Sequence, residues 1–419
     1  MSDQGRLDRQ LRIPEWNQGV LARASVGVVG DDGLLASLYL LGMAALGINQ
    51  VSIVAPALDE RLISLARSLN PDWHLNHFEG YVTHPGCQEF LGRGNLVVDL
   101  SNYGLANKII LEDAFQHRRA VIRGLKWQDE REEGFKIFTF ARGREWLELQ
   151  EVVSERSLPG KVEATDGVLD IIASGIILEE TKNVLFGGKI TPAVIRYHRP
   201  RPKRFLPQPS LGIVGAGALG NFVGLGLALA GFKKMTFIDP DVIEVTNLNR
   251  QIFFAEAVGG SKAETLAARL NQWFEIRALG VRDYFREDSD ISDFDIIFDC
   301  VDNFVSRIAL SEACAASGKV LISGGSDVAA GQVVVYHPLR QPQTPAVLLG
   351  LAEIVAQRPP TGPDRERAAC VYQPDSAVIM TNQIIGGFMV EACRKVLSGQ
   401  EAPPLFYDAT AAQKFNLTH

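Results

Sequence analysis

The chain repeats itself, and this repeat limits the folds open to it more than any other feature. Residues 24–54 read ASVGVVGDDGLLASLYLLGMAALGINQVSIV, and residues 210–239 read SLGIVGAGALGNFVGLGLALAGFKKMTFID. Each is a short β-branched apolar run, a glycine turn, a long apolar helical stretch ending in glycine, and a second apolar run. That is the pattern of a βαβ unit with parallel strands. A second pair closes each half: GIILEETKNVLFG at 175–187 matches GFMVEACRKVLSG at 387–399, followed by the strand-like AVIRYH at 193–198 and LFYDAT at 405–410. The halves therefore read as two copies of one fold, with a longer insertion in the second.

A length of 419 residues exceeds one ordinary domain and suits two of about 200 residues each. The predicted fold class is α/β, with two Rossmann-like domains, mostly parallel sheets and a pseudo-dimeric arrangement in one chain. The boundary is placed in YHRPRPKRFLPQPS (197–210), whose prolines and charges suit an extended linker, giving domains 1–199 and 200–419.

The net charge of −7 speaks against nucleic acid as a main partner, because phosphate binding needs a basic face. No apolar run is long enough to cross a membrane, and MSDQGRLDRQLR has no apolar core of the secretory kind. Cys87, Cys300, Cys314, Cys370 and Cys393 are scattered with no CxxC pair, so neither a disulfide framework nor a zinc clip is expected. Dispersed free thiols suit a reducing, cytoplasmic setting.

The second half holds the chemistry. Gly215-Ala-Gly217-Ala-Leu-Gly220 follows a strand and opens a helix, so the chain can turn tightly and aim a helix N-terminus at an anion. Asp239 ends the next strand, where a carboxylate can hold a ribose hydroxyl. These features alone say only "nucleotide" and suit a dehydrogenase equally well. Three further segments are unlike a dehydrogenase: DPDVIEVTNLNRQ (239–251), Lys262 in GGSKAETLAARLN, and DCVDN (299–303). Arg250 and Lys262 could neutralise a polyphosphate, and Asp302, at a strand end beside the crevice, is placed for Mg2+.

This run, GAGALG…IDPDVIEVTNLNRQ…K…DCVDN, resembles the adenylation domain of the E1-like (ubiquitin-activating/ThiF–MoeB) superfamily over about 205–410. The resemblance implies ATP and Mg2+ as cofactors. It implies ribose binding by Asp239, phosphate contacts by Asn247 and Arg250, the α-phosphate for Lys262 and magnesium for Asp302. Asp241 and Gln251 complete the nucleotide-binding set with Gly215, Gly217 and Gly220. RLDRQLRIPEW resembles the family's opening R-x-x-R-Q element, which makes Arg9 a candidate arginine finger supplied to the second half.

The first half departs from this pattern. GDDGLLA (30–36) sets Asp32 where a phosphate would approach, and no DxD, NLNRQ or matching lysine comes after SIVA. Asp99-Leu-Ser-Asn102 only echoes the magnesium motif. The first domain is thus expected to bind no ATP, to pair with the second and to present Arg9.

Cys370 lies in ERAACVYQPDSAVIM, after the Pro- and charge-rich stretch 338–368 and before a helix expected over about 376–397. Arg367 and that helix could favour its thiolate. Its placement resembles the catalytic cysteine of E1 enzymes that carry it in a crossover loop. Larger E1 enzymes recruit E2 with a ubiquitin-fold domain; none is expected after His419, so an E2 would dock elsewhere.

The resulting expectation is an E1-type enzyme that adenylates the free C-terminal tail of a ubiquitin-like protein. It then forms a thioester on Cys370 and passes it to an E2-like carrier. The alternatives are an adenylation-only activator of a sulfur-carrier protein, an NAD-dependent oxidoreductase, and a non-catalytic scaffold. Whether chains pair into a homodimer is left open by the sequence.

Overall fold

The computed structural model describes residues 3–84, 86–92, 94, 96–141, 146–160, 165–202, 207–357 and 376–417. The chain divides into two compact units: Asn17–Arg204 with Asp408–Phe415, and Met1–Trp16 with Phe205–Tyr407 and Asn416–His419. The amino-terminal arm therefore packs within the same unit as the second copy of the repeat.

The first unit is built on a seven-stranded sheet in the order β3-β2-β1-β4-β5-β6-β7. Its strands are β1 Ser25–Gly30, β2 Gln50–Ala55, β3 His74–Glu79, β4 Leu96–Leu100, β5 Ala120–Gln128, β6 Glu132–Phe140 and β7 Ile195–Pro200. The first five strands pair in parallel, and β6 and β7 add in antiparallel fashion.

The second sheet repeats this order and adds one strand: β10-β9-β8-β11-β12-β13-β14-β15. These are β8 Ser210–Val214, β9 Lys234–Ile238, β10 Arg277–Val281, β11 Ile296–Asp299, β12 Val320–Ser326, β13 Ala330–Tyr336, β14 Leu405–Asp408 and β15 Phe415–Leu417. Strands β8 to β12 pair in parallel and β13 runs antiparallel to β12. The two sheets share the mostly parallel, Rossmann-like α/β arrangement read from the repeat.

In both sheets the strand order reverses beside the strand that enters the glycine turn, β1 or β8. A crevice opens at the carboxyl ends of the strands at such a reversal. The helices leaving the turns, Gly33–Leu46 and Ala218–Leu229, are apolar on nearly every side and are buried accordingly. Ala218–Leu229 packs on the helix Ile379–Leu397 so closely that a Cβ on Gly386 would come within 2.6 Å of Phe222 Cβ. Phe222 and Leu227 are buried there, each stabilising the unit by about 2 kcal/mol through lost apolar exposure.

Three local expectations shift. The span read as a linker begins inside β7, and Arg199 is buried, with Glu133 2.6 Å and Asp166 2.8 Å from its guanidinium. The charge that suggested a solvated linker instead serves a buried ion pair. The late helix starts at Ile379, because Val378 is still extended at φ −130. Before it, the stretch from 338 contains two short helices, Pro345–Leu348 and Leu351–Gln357, the first of them capped by Thr344.

Candidate active site

The turn after β8 is shaped by glycines for two different reasons. Gly215 adopts φ +96, and a Cβ there would lie 2.6 Å from the Cys300 carbonyl oxygen. A Cβ on Gly220 would lie 2.1 Å from the Gly215 carbonyl oxygen. Both positions exclude any side chain by contact with the chain itself. Gly217 differs: a Cβ there would meet nothing closer than Gln251 Nε2 at 3.8 Å. Among the described residues, the space beside Gly217 is therefore open, unlike that beside Gly215 and Gly220.

Gly217 is also the N-cap of Ala218–Leu229 and offers no side-chain cap. The first backbone N–H groups of that helix therefore face the opening, where they favour an anion. Gln251 is buried, and its Oε1 has no hydrogen-bond partner among the described residues. A buried polar atom left unmade costs about 1–3 kcal/mol, a cost that a bound group could remove. Asn221 braces the turn: its Nδ2 donates to the carbonyls of Ala216 and Gly217, and its Oδ1 accepts from Phe253 N.

Asp239, at the end of β9, is buried and accepts from Ala216 N at 2.7 Å and from Asp241 N at 2.9 Å. Burial raises its carboxyl above the usual range, and the Lys262 charge partly opposes this. Lys262 opens the helix Lys262–Trp273, which Ser261 caps, and its Nζ lies 2.8 Å from Asp241 Oδ2. Asp241 is 61% exposed in this pair while Lys262 is 10%, so Asp241 can turn away to solvent when an anion takes the lysine.

Arg250 is buried and donates to Thr246 O at 3.0 Å and Asn249 Oδ1 at 2.8 Å. Its guanidinium is pushed down to about 10, first by burial and then by the like charge of Arg9, with Asp302 and Glu244 acting in the other direction. One neighbourhood thus holds Arg9, Arg250, Asp302 and Glu244. Asp302 is exposed just beyond β11, beside Asn303, which caps Phe304–Ser317 through Ser306 N. Asn247 is buried in the 3-10 turn Val245–Asn247, its Oδ1 accepting from Glu244 N at 2.9 Å. That oxygen is committed to the turn.

The residues present fit a nucleotide polyphosphate: an uncapped helix start, open space beside Gly217, the buried amide of Gln251 and the guanidinia of Arg250 and Arg9, which act on each other electrostatically. Among the described residues, no group of three or more His, Cys, Asp or Glu side chains is arranged to hold a metal ion. A magnesium ion here would rest on Asp302 together with ligand phosphates. Cys370 lies outside the described residues. Cys300, Cys314 and Cys393 are buried, and burial raises all three thiols, Cys314 to about 12.

The matching turn in the first unit is filled by its own side chains. Asp32 caps Gly33–Leu46 through Leu34 N and Leu35 N, and its other oxygen meets Lys126 Nζ at 2.5 Å. Lys126 also reaches Asp170 Oδ1 at 2.6 Å. Burial works against the lysine charge, but Asp170 and Asp32 outweigh it and hold Lys126 well above its ordinary value.

A sequence model of the ThiF family matches residues 204–418, half of the chain. The chain belongs to the ThiF family. The ThiF match contains the cluster from Gly215 to Asp302 and leaves Arg9 and the first copy outside it. Among curated relatives, adenylyltransferase and sulfurtransferase MOCS3-1 of Zea mays is 30% identical over 221 residues, 50% of this chain and 44% of the relative. MOCS3 of Mus musculus is 37% identical over 133 residues, 30% of this chain and 28% of the relative. MOCS3 of Drosophila ananassae is 39% identical over 139 residues, 31% of this chain and 30% of the relative. This ThiF chain spans less than half the length of these relatives.

Sequence reasoning did not single out Asn221, Asn249 or Gln10, all fully buried in the second unit. Asn221 sits within an apolar helical run, and that polar interruption was the available signal. Asn249 and Gln10 lie within the NLNRQ and R-x-x-R-Q motifs, but neither has a role legible in sequence before the arm is seen to pack against the turn.

Proposed function

We propose that this chain is an ATP-dependent adenylyltransferase that activates the C-terminal carboxylate of a ubiquitin-like sulfur-carrier protein. The observation that carries the reading is the open glycine turn at an uncapped helix start, with Asp239 accepting from Ala216 N and Gln251 beside Gly217. Two relatives are named adenylyltransferase and sulfurtransferase, which supports carrier activation over transfer to an E2-like protein. The finer assignment of a thioester on Cys370 is the second reading, and it rests on sequence placement alone.

In this reading the carrier's carboxylate oxygen forms a bond to the α-phosphorus of ATP while the bond from that phosphorus to the bridging oxygen breaks, and pyrophosphate leaves. No protein base is needed, because the nucleophile is already ionised. Mg2+ supplies charge neutralisation at the phosphates. The chain's part is positioning and charge. Gly215 and Gly220 let the backbone approach closely, and Asp239 holds the ribose side. Lys262 releases Asp241 to meet the α-phosphate, and Arg250 and Arg9 stabilise charge as it develops. The first copy, with Asp32 filling its turn, binds no nucleotide.

The test is carrier-dependent ATP–pyrophosphate exchange with a ubiquitin-like protein from the same source, followed by a non-reducing gel. Exchange without a thiol-sensitive adduct is the expected result. An adduct that disappears in Cys370→Ala, with exchange intact, would move the assignment to a thioester-forming E1. Absence of exchange, together with thermal stabilisation by NAD and none by Mg-ATP, would replace adenylation with nicotinamide chemistry. Absence of exchange with no response to either nucleotide would leave a scaffold.

A further inference from the structure

The amino-terminal arm packs beside the candidate site, and the Gln10 amide meets Asn249 there. Its helices Asp3–Arg6 and Asp8–Leu11 are four residues each, far shorter than an isolated helix needs to persist. They rest on the 3-10 turn Val245–Asn247, where a Cβ on Gly5 would lie 3.3 Å from Val245 Cγ1. Gln10 and Asn249 meet beneath them, both 0% exposed. Asn249 Nδ2 donates to Gln10 Oε1 at 3.3 Å and to Ala377 O at 2.9 Å. Its Oδ1 accepts from Arg250 Nη1 at 2.8 Å. Ala377 N closes the circuit by donating to Arg9 O at 3.3 Å.

The electrostatics explain why an amide is suited to this place. Arg9 lies close enough to Arg250 for its charge to disfavour the second guanidinium. Before an anion arrives, these like charges push the arm away. A cation at 249 would add to the repulsion, and a carboxylate would quench charge reserved for the ligand. A neutral amide instead donates to the arm and to Ala377 with one end and accepts from Arg250 with the other.

We propose that Asn249 and Gln10 form a clamp that positions Arg9 against Arg250, so that both guanidinia are in place before the polyphosphate binds; this rests on the adenylation reading above. Asn249 and Gln10 are positioning residues and act through the arginines.

The experiment uses the full chain carrying Gln10→Met, which keeps the side-chain volume and loses the acceptor, alone and combined with Arg9→Ala. Asn249→Ser shortens the clamp from the other side and serves as the second variant. Hydrogen exchange of the backbone amides of residues 5–12 is measured without ligand, and ATP–pyrophosphate exchange with the carrier. Gln10→Met and Asn249→Ser are each expected to speed arm exchange at least tenfold and to lower kcat about tenfold, with KM for Mg-ATP nearly unchanged. In the Arg9→Ala background, Gln10→Met should cost nothing more. An arm that stays protected overturns the clamp, as do losses that multiply in the double variant or fall on KM. If the wild-type chain itself gives no pyrophosphate exchange, adenylation has failed. The clamp is then decided by hydrogen exchange alone.

Discussion

Gly30-Asp31-Asp32 and Gly215-Ala216-Gly217 occupy the same place in two sheets with the same strand order, yet one turn is closed by its own side chains and the other is open. In the first, the partly buried Asp32 and Lys126 and the buried Asp170 form a chain of charges across the helix start. In the second, the matching positions are Gly217, Ser326 and Asn382, and the Ser326 hydroxyl hydrogen-bonds Asn382 Oδ1 at 2.9 Å. Neutral, short side chains leave the helix N-terminus available. A second comparison lies deeper. Asp99 is in register with Arg123, and Asp299 with Ser323. In the first unit the strand residue Arg123 sits by Asp99 and donates to Gly124 O, while Asn107 on the helix donates to Asp99 at 2.7 Å. In the second unit the helix supplies the arginine: Arg307 donates to Gly324 O and lies 3.4 Å from Asp299, with Ser323 on the strand. A buried carboxylate needs a cation or a hydrogen-bond donor beside it, but either element can provide it. The core of the repeat preserves interactions, while its mouth keeps the leading glycine, Gly30 or Gly215, and changes the side chains around it.

Breaking the filled mouth should have the greatest consequence. Lys126→Met strands Asp32 and Asp170 in a buried site and should destabilise the first unit by about 3–5 kcal/mol, read by chemical denaturation. Combining Asp32→Gly, Lys126→Ser and Asp170→Asn copies the second mouth and should recover most of that loss. This triple variant should gain no nucleotide affinity by calorimetry, since the first unit has no counterpart of Arg250 or Lys262. If it binds Mg-ATP, the mouth alone decides function.

Moving the arginine tests the deeper comparison. Arg123→Ser should cost about 3 kcal/mol by leaving Asp99 without its guanidinium, and adding Asn107→Arg should restore at least half. A second loss on adding the arginine would show that the two cores are not interchangeable. In the other direction, Gly217→Asp gives the second turn the carboxylate of the first. Among the described residues, a Cβ at 217 meets nothing closer than Gln251 Nε2 at 3.8 Å, so thermal stability should hold or rise through helix capping. Mg-ATP affinity should fall at least a hundredfold, about 2.7 kcal/mol.

The last change depends on pH and concerns Asp31, whose carboxyl burial raises to about 6 although Asn102 N donates to it. A carboxyl raised in the folded state holds its proton more tightly there than in the unfolded chain. The first unit should therefore lose stability as pH rises from about 4 to about 6. Asp31→Asn keeps an acceptor for Asn102 N and removes that loss. Its advantage should grow from near zero at pH 4 to about 3 kcal/mol above pH 6. An advantage that does not change with pH would mean the charge of Asp31 is already compensated.

Much of this molecule was legible in its residues because the relevant signals are local. The βαβ repeat, the glycines that a Cβ would displace from 215 and 220, and the repulsive Asp32 each emerge from a few adjacent positions. Residue order alone was enough to establish two copies of one α/β fold and which copy carries the nucleotide motif, since hydrophobic period and turn chemistry are properties of short segments. Folding in three dimensions was needed to show that Lys126 and Asp170 join Asp32 in filling the first mouth, and that Arg199 is buried with Glu133 rather than solvated in a linker. It was needed too to place the arm's Gln10 on Asn249. Each of these pairings joins residues far apart in sequence. A charged or amide side chain looks the same in sequence whether it meets water or a partner, until folding removes the water.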